Sequence, residues 1–507
     1  MIRIPAWFRQ AIAYEIYPQS FLDTNGDGIG DLQGVIAKLD YVKSLGCDTI
    51  WLNPCFDSPM QDAGYDVRDY RKVAPRYGTN EDLEELFRQA HARGMHILLD
   101  LVPGHTSEQH EWFRESQQPT RNAYSDRYVW TDNVFNKPAG YSWICGTTDR
   151  NGCALTNFFQ MQPALNYGFG EATKPWQMDW RDSRCQATMD AIIDVMRFWL
   201  QKGCDGFRVD MADSLVKEDP DKEATSALWR KAQDMLAAEF PEAVLVAEWS
   251  YPEQALCKAH FQGDFYLDHD WGESGQGYHT LMRDGRRSYF HKAAGGDLNR
   301  FLNEYMHRYL STKDAGYICM ITGNHDTRRA ALELDASELK LAYSLLFTLP
   351  GVPFVYAGDE IGTRHLPLPS KEGGYQRTGD RTPMQWAQGP QYGFSANPET
   401  YLPQDTSADA PTVADQEADA DSLLNYVRAL LTFRCATPAL QADAPFDPVW
   451  MGTHGYPFVY RRGNLLLALN ATERPASLPF SIGTPLFLHG TALGHTLGAQ
   501  SFVVWEE

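Results

Sequence analysis

Short apolar runs alternate with stretches of helical periodicity along most of this 507-residue chain. Such alternation predicts parallel strands joined by crossover helices. The predicted strands are Ala13–Tyr17, Thr49–Leu52, His96–Leu101, Gly206–Asp210, Val244–Trp249, Phe265–Asp268, Tyr317–Thr322 and Phe354–Tyr356, eight in all. Between them, Met189, Ile192, Ile193, Met196 and Leu200 recur at i, i+3, i+4 and i+7 spacing, the stripe of a helix packed on a sheet. Leu228–Phe240, Leu339–Leu349 and Leu423–Phe433 repeat the pattern. The α/β order with eight strands predicts a (β/α)8 barrel.

Two segments break the alternation. Residues 106–167 are rich in aromatics, Asn, Gly and Pro and lack helical period, which predicts an inserted domain after the third strand. Pro403–Ala420 is a polar stretch before the last helix. After Pro438 the pieces Phe458–Arg461, Leu465–Asn470, Leu486–Leu488 and Phe502–Trp505 read as strands. The predicted organisation is a barrel over 1–105 and 168–438, an insert over 106–167, and a C-terminal antiparallel β-sandwich over 439–507.

Composition narrows the partners. With 45 Lys+Arg against 66 Asp+Glu the formal charge is −21, which argues against nucleic acid or an anionic membrane surface. A hydrophobic content of 43% supports packed interiors rather than disorder. No stretch reaches the ~20 apolar residues of a membrane span, and the N-terminus carries no signal-peptide pattern. Nine cysteines are scattered without metal-ligand spacing. Cys145 and Cys153 can bridge a loop, but idle thiols in a reducing cytoplasm are the expectation.

In a barrel of this kind the reacting groups sit at the C-terminal ends of strands. Here those ends read Asp100-Leu-Val-Pro-Gly-His105, Gly206-Phe-Arg208-Val-Asp210, Ala247-Glu248-Trp249 and Gly323-Asn-His325-Asp326. A lone Asp after a strand is ordinarily a satisfied structural group. Asp210, Glu248 and Asp326, with Arg208, His105 and His325, converging from four strand ends form a candidate site.

These segments resemble the signature regions of the α-amylase family, glycoside hydrolase family 13, from Ala13-Tyr-Glu-Ile-Tyr-Pro18 to about Leu440. The resemblance implies Asp210 as nucleophile, Glu248 as general acid/base and Asp326 as the carboxylate that stabilises the transition state. Retaining cleavage needs one ionised and one protonated carboxyl, about 5–5.5 Å apart. Arg208, two residues before Asp210, points to the same strand face and can keep it charged. His105 and His325 are candidate donors to sugar hydroxyls.

Ser58-Pro-Met-Gln-Asp62-Ala-Gly-Tyr65-Asp66 and Arg381-Thr-Pro-Met-Gln-Trp386 resemble segments of exo-acting α-glucosidases. The resemblance implies that Asp62 and Arg381 pair at the floor of a closed pocket and that Tyr65 stacks on a terminal glucose. Release of terminal α-glucosyl units from maltose- or isomaltose-type oligosaccharides follows. The alternatives are a transglucosylase or isomerase resembling trehalose synthase or acting on sucrose, then an endo-amylase, and then a non-catalytic binding protein. Gly373-Gly-Tyr and the Arg381 segment occur on both the hydrolytic and transferring sides. Met211 follows Asp210, where several α-1,6-specific members of the resembling family have Val and several α-1,4-specific members Ala or Thr, so linkage stays open.

Asp23-Thr-Asn25-Gly-Asp27-Gly-Ile29-Gly-Asp31 places oxygens at alternating positions of a Gly-rich loop, a spacing that suits structural Ca²⁺. The resembling α-glucosidases add a carbonyl ligand at the place of Ile29. Mg²⁺ and a self-capped polar turn are the alternatives, and no organic cofactor is expected. Gly104 stands where many amylases carry Asn, and Ala164 where relatives carry Asp, so no metal is expected beside the insert.

Overall fold

The strand alternation is realised in a computed structural model that describes residues 3–267, 277–373 and 376–507. Its strands are β1 Ala13–Ile16, β2 Thr49–Leu52, β3 His96–Leu101, β4 Gly206–Val209, β5 Val244–Ala247, β6 Gly263–Tyr266, β7 Tyr317–Met320 and β8 Phe354–Tyr356. They form one eight-stranded sheet in the order β7-β6-β5-β4-β3-β2-β1-β8. A parallel bridge from Ile321 to Phe354 joins the two ends of that order. The fold is an α/β barrel, as the alternation predicts.

β1, β4, β5 and β7 stop one or two residues short of the predicted ends. β6 begins two residues earlier than predicted; Asp268, the predicted end, lies outside the described residues, as do Gly374 and Tyr375 of the Gly373 segment. The helices α1 Asn80–His91, α2 Ser183–Lys202, α3 Glu223–Glu239, α4 Leu298–Thr312, α5 Ala336–Leu346 and α6 Leu423–Ala436 fill the intervals. In α2 the stripe of Met189, Ile192, Ile193, Met196 and Leu200 is buried. Asp182 caps its start, and Gly203, at φ +115°, ends it in the left-handed region that glycine accepts without strain. Asp335 and Glu338 form a capping box at α5.

By internal contacts the chain divides into two compact units. The first is Met1–Pro5, Trp51–Asp264 and Ser370–Tyr375; the second is Ala6–Ile50, Phe265–Pro369 and Gln376–Glu507. Within the first, Val129, Leu155 and Ala164 of the insert form a small core with Phe169 just after it. Trp143–Cys145 and Cys153–Leu155 pair antiparallel there, with Cys145 opposite Cys153. That register brings their Cα atoms to 4.5 Å and the two sulfurs are bonded, so the expectation of idle thiols is corrected. Close antiparallel register partners are within disulfide reach, a fact their sequence spacing does not reveal.

Within the second unit, the C-terminal region holds β9 Phe446–Met451, β10 Phe458–Arg462, β11 Leu465–Asn470, β12 Ala476–Ser477, β13 Pro485–His489, β14 Ala492–Leu493, β15 Thr496–Leu497 and β16 Ser501–Glu506. A five-stranded sheet, β9-β10-β11-β16-β13, accompanies a three-stranded one, β12-β15-β14. Val459, Leu466, Ala468, Val503 and Trp505 alternate onto one face of the larger sheet and pack with Leu478 and Leu497. Among the described residues no helix is long and apolar enough to cross a membrane.

One backbone contact underlies the placement of β4. Gly206 sits at φ +149°, and a Cβ there would overlap the carbonyl of Val244 on β5. Gly206→Ala is expected to lower stability by more than about 2 kcal/mol, read as a lower urea midpoint at unchanged slope. An unmoved midpoint would refute this β4–β5 approach.

Candidate functional site

Parallel register assembles the first group of charges. Asp100 on β3 and Arg208 on β4 are register partners, and their side chains share one sheet face. Arg208 Nη1 contacts Asp100 Oδ1 at 2.8 Å and Asp210 Oδ1 at 3.1 Å, while Nη2 contacts Glu248 Oε2 at 2.8 Å. Arg208 and Asp100 are buried, Asp210 is 7% exposed and Glu248 half-buried. The ladder continues into the loops through Asp210 N–H to Leu101 O at 2.8 Å and Glu248 N–H to Val209 O at 3.0 Å. Three predicted site residues, Arg208, Asp210 and Glu248, are thereby brought together with Asp100, to which the sequence reading gives no role.

One guanidinium faces three carboxylates, so the group cannot be electrically balanced with all of them ionised. Burial pushes the Asp100 carboxyl up to about 6, against the pull of Arg208. Asp100 also accepts from Trp51 Nε1 and from the Tyr65 hydroxyl, each at 3.0 Å. The backbone turns sharply after Asp210: Met211 lies at φ +41°, an uncommon place for a side-chain-bearing residue. Its N–H donates to Glu248 Oε2 at 2.9 Å, which ties this strained turn to the second carboxylate.

Asp66 organises the loop that carries Asp62 and Tyr65. It accepts from Ser58 Oγ at 2.9 Å and from the Gln61 and Asp62 N–H groups at 3.0 Å. Asp62 itself accepts from Gln162 Nε2 at 2.7 Å. His105 is buried, with Nε2 at 3.1 Å from the Tyr65 carbonyl and Nδ1 at 3.4 Å from Asn157 Nδ2. Both ring nitrogens thus face protein atoms. Beside the turn after Asp210, Met211, Asp213, Ser214, Lys217 and Phe158 line a cavity of about 630 Å³.

The second group lies in the other unit and has the opposite balance. Asp326 Oδ1 meets Arg377 Nη1 and Arg381 Nη2, each at 2.6 Å, and its Oδ2 lies 3.3 Å from His325 Nε2. Burial alone would raise this carboxyl, but Arg377, His325 and Arg381 together hold it well below the usual range. His325 Nδ1 contacts the buried Glu15 carboxylate at 2.7 Å, and Arg381 Nε donates to the His325 carbonyl at 2.8 Å. The 3₁₀ turn Thr378–Asp380 places Arg377 and Arg381 on the same oxygen. Glu15, Gln162, Asn157 and Arg377 carry no role in the sequence reading. The one available signal was the pair of arginines bracketing Thr378-Gly-Asp380.

In the loop proposed for a cation, Asp23 accepts from the N–H groups of Gly26 at 2.7 Å and Gly28 at 2.8 Å. Asn25 Oδ1 accepts from Asp27 N–H, and Asp27 Oδ1 from Ile29 N–H. Asp31 takes Thr24 and caps the following helix through Gly34 N–H at 2.7 Å. The loop therefore caps itself: Asp23 Oδ1 accepts from Asn25 and Gly26 N–H, its Oδ2 from Gly28 N–H and Ser395 Oγ, and both oxygens of Asp31 accept from Thr24. Among the described residues no cluster of three or more His, Cys, Asp or Glu is gathered for a metal.

Fold and strand-end chemistry define a class, and comparison with known proteins agrees. Residues 15–443 match the family described as alpha amylase, catalytic domain, and the chain belongs to that family. It is 33% identical to the trehalose synthase/amylase TreS of Mycolicibacterium smegmatis, over 84% of this chain and 76% of that one. It is 30% identical to the oligo-1,6-glucosidase of Heyndrickxia coagulans, over 93% of each. The crystal structure of isomaltulose synthase from Erwinia rhapontici superposes with a TM-score of 0.83 at 25% identity, covering 99% of both chains.

Removing the shared cation tests the first group. Arg208→Met is expected to destabilise the protein by about 3–5 kcal/mol at pH 7. The stranded carboxyls would then have folded pKa values above their unfolded ones, so they bind protons preferentially when folded. The deficit should accordingly be larger at pH 7 and shrink as pH falls toward 5. Urea unfolding at both pH values checks this; a deficit independent of pH would count against the charge argument.

Proposed function

We propose that this protein is a retaining α-glycoside hydrolase that releases terminal α-glucosyl units from short α-glucosides. The observation that carries the reading is the contact of one buried guanidinium with Asp100, Asp210 and Glu248. Asp210 attacks the anomeric carbon while Glu248 gives its proton to the departing glycosidic oxygen. The bond to the leaving group breaks and a glucosyl–Asp210 ester forms. Glu248 then takes a proton from water, whose oxygen attacks the same carbon and frees Asp210. The excess of carboxylate over cation favours a proton resident in the group.

Asp326, held ionised by Arg377 and Arg381, supplies the standing negative charge for the oxocarbenium-like transition state. Asp62 and Arg381 grip hydroxyls of the terminal sugar, and Tyr65 offers it an aromatic face. His325 borders the sugar through Asp326, and His105 does so through Tyr65.

A second reading is favoured by two relatives, whose names are a trehalose synthase/amylase and an isomaltulose synthase. The same ester would then be taken by a sugar hydroxyl rather than water, with the cavity beside Met211 receiving the acceptor. Product analysis with maltose, isomaltose, sucrose, trehalose and soluble starch separates the two. Free glucose as the main product is expected. Trehalose, a rearranged disaccharide or longer oligomers with little glucose would establish transfer instead. Asp210→Asn should lower hydrolysis of p-nitrophenyl α-glucoside by at least about 10³-fold, and parity with the wild type would sink the mechanism.

The loop Asp23–Asp31 is proposed to hold Ca²⁺, or Mg²⁺ in its place, through Asp23, Asn25, Asp27, the Ile29 carbonyl and Asp31, in a structural role. Calcium at a hundredfold excess over its Kd would add about 2.7 kcal/mol. EDTA should therefore lower the melting temperature and added calcium restore it, a response that Asp27→Ala abolishes. Melting indifferent to both reagents would leave the self-capped turn as the whole account.

A further inference from the structure

The space beside Gly104 is filled from elsewhere in the sequence. A Cβ on Gly104 would lie 2.5 Å from Asn157 Nδ2 and 3.0 Å from Ser214 Oγ. The amide of Asn157 thus stands where a side chain at position 104 would stand. Gly104 immediately precedes His105, Ser214 ends the 3₁₀ turn Ala212–Ser214 that follows the nucleophile, and Asn157 belongs to the inserted segment. Three parts of the chain meet at one amide.

The amide is oriented by a cation. Lys217 Nζ donates to Asn157 Oδ1 at 2.7 Å and to the Ser214 carbonyl at 2.5 Å. An ammonium can only donate, so this contact fixes which end of the Asn157 amide is oxygen. The opposite end, Nδ2, donates to Ser214 Oγ at 3.2 Å and faces His105 Nδ1 at 3.4 Å. His105 Nδ1 is then the acceptor nitrogen, and the ring proton sits on Nε2, which donates to the Tyr65 carbonyl. Burial pulls His105 down to about 4, so the ring is neutral near pH 7 and its tautomer is a real choice. Tyr65 in turn donates its hydroxyl to Asp100, which holds Arg208.

We propose that Asn157, oriented by Lys217, is a positioning residue for the reaction centre. It supplies from the insert the amide that Gly104 lacks, sets the His105 tautomer and so holds Tyr65, and pins the Ser214 turn behind Asp210. The proposal rests on the hydrolytic reading of Asp210 and Glu248. It differs from ordinary packing in one respect: the amide group matters, whichever backbone position carries it.

That difference gives the experiment. Asn157→Ala is expected to lower kcat/KM for p-nitrophenyl α-glucoside by about 10- to 100-fold while melting within a few degrees of the wild type. Gly104→Asn alone should also impair activity, because two amides would compete for one space. The double variant Gly104→Asn/Asn157→Ala should recover most of the activity that Asn157→Ala loses, a strongly non-additive pair. Histidine-selective ¹⁵N labelling should show a single Nε2–H tautomer for His105 in the wild type and in the double variant. A mixture of tautomers is expected in Asn157→Ala and in Lys217→Met. Asn157→Ala within twofold of wild-type activity, or a folded double variant no better than Asn157→Ala, would overturn the proposal. If the wild type cleaves no α-glucoside, the hydrolytic reading fails by itself, and the tautomer measurement still judges the Asn157 assignment. An unchanged tautomer in Asn157→Ala would overturn it there.

Discussion

Arg208 is the one side chain on which the first compact unit's chemistry depends. A buried guanidinium costs several kcal/mol of desolvation unless its donors are matched, and here two of its nitrogens meet three carboxylates. The parallel register of β3 and β4 makes this possible, because it sets Asp100 beside Arg208 on one face. Asp210 follows two residues later on the same face, and Glu248 arrives at the end of the neighbouring strand. Trp51 and Tyr65 cover the guanidinium at 4.9 Å and 5.7 Å, which keeps water from competing for it. The cluster thus follows from strand order and a two-residue side-chain period.

The same arrangement explains a backbone irregularity. Met211 would not ordinarily hold φ +41°. Its N–H must leave the strand direction to reach Glu248, and the hydrogen bond to a carboxylate offsets part of the strain. A turn that tight aims Asp210 and Glu248 at one guanidinium, whereas a continuing strand would carry the next side chains apart.

The fold was legible because eight strand runs and the α2 stripe depend on local periodicity alone. Strand ends differ by one or two residues at places such as Thr322, where composition stays strand-like and one hydrogen bond to Phe354 persists beyond the strand's end at Met320. The site motifs Arg208–Asp210, Glu248 and His325–Asp326 were legible for the same reason: each is local. What could not be read were partners chosen by tertiary structure. Glu15 lies 310 residues from the His325 it contacts, and Asn157 meets a hollow made by an absent side chain at Gly104. Cys145 and Cys153 became partners through an antiparallel register. Spacing in sequence constrains none of these.

The two charge groups are tuned in opposite directions by the same principle. Around Arg208, carboxylates outnumber the cation, burial raises Asp100 to about 6, and a proton can reside in the group near neutral pH. Around Asp326, two guanidiniums and His325 converge on a single carboxylate and hold it well below its usual range. In the proposed reaction one carboxyl must gain and lose a proton while another must never be neutral. Nothing in the intrinsic chemistry of Asp and Glu separates those tasks, since their ordinary pKa values differ by only about 0.4. The local ratio of carboxylate to cation separates them, and that ratio is set by which side chains the register and the Thr378–Asp380 turn bring into contact.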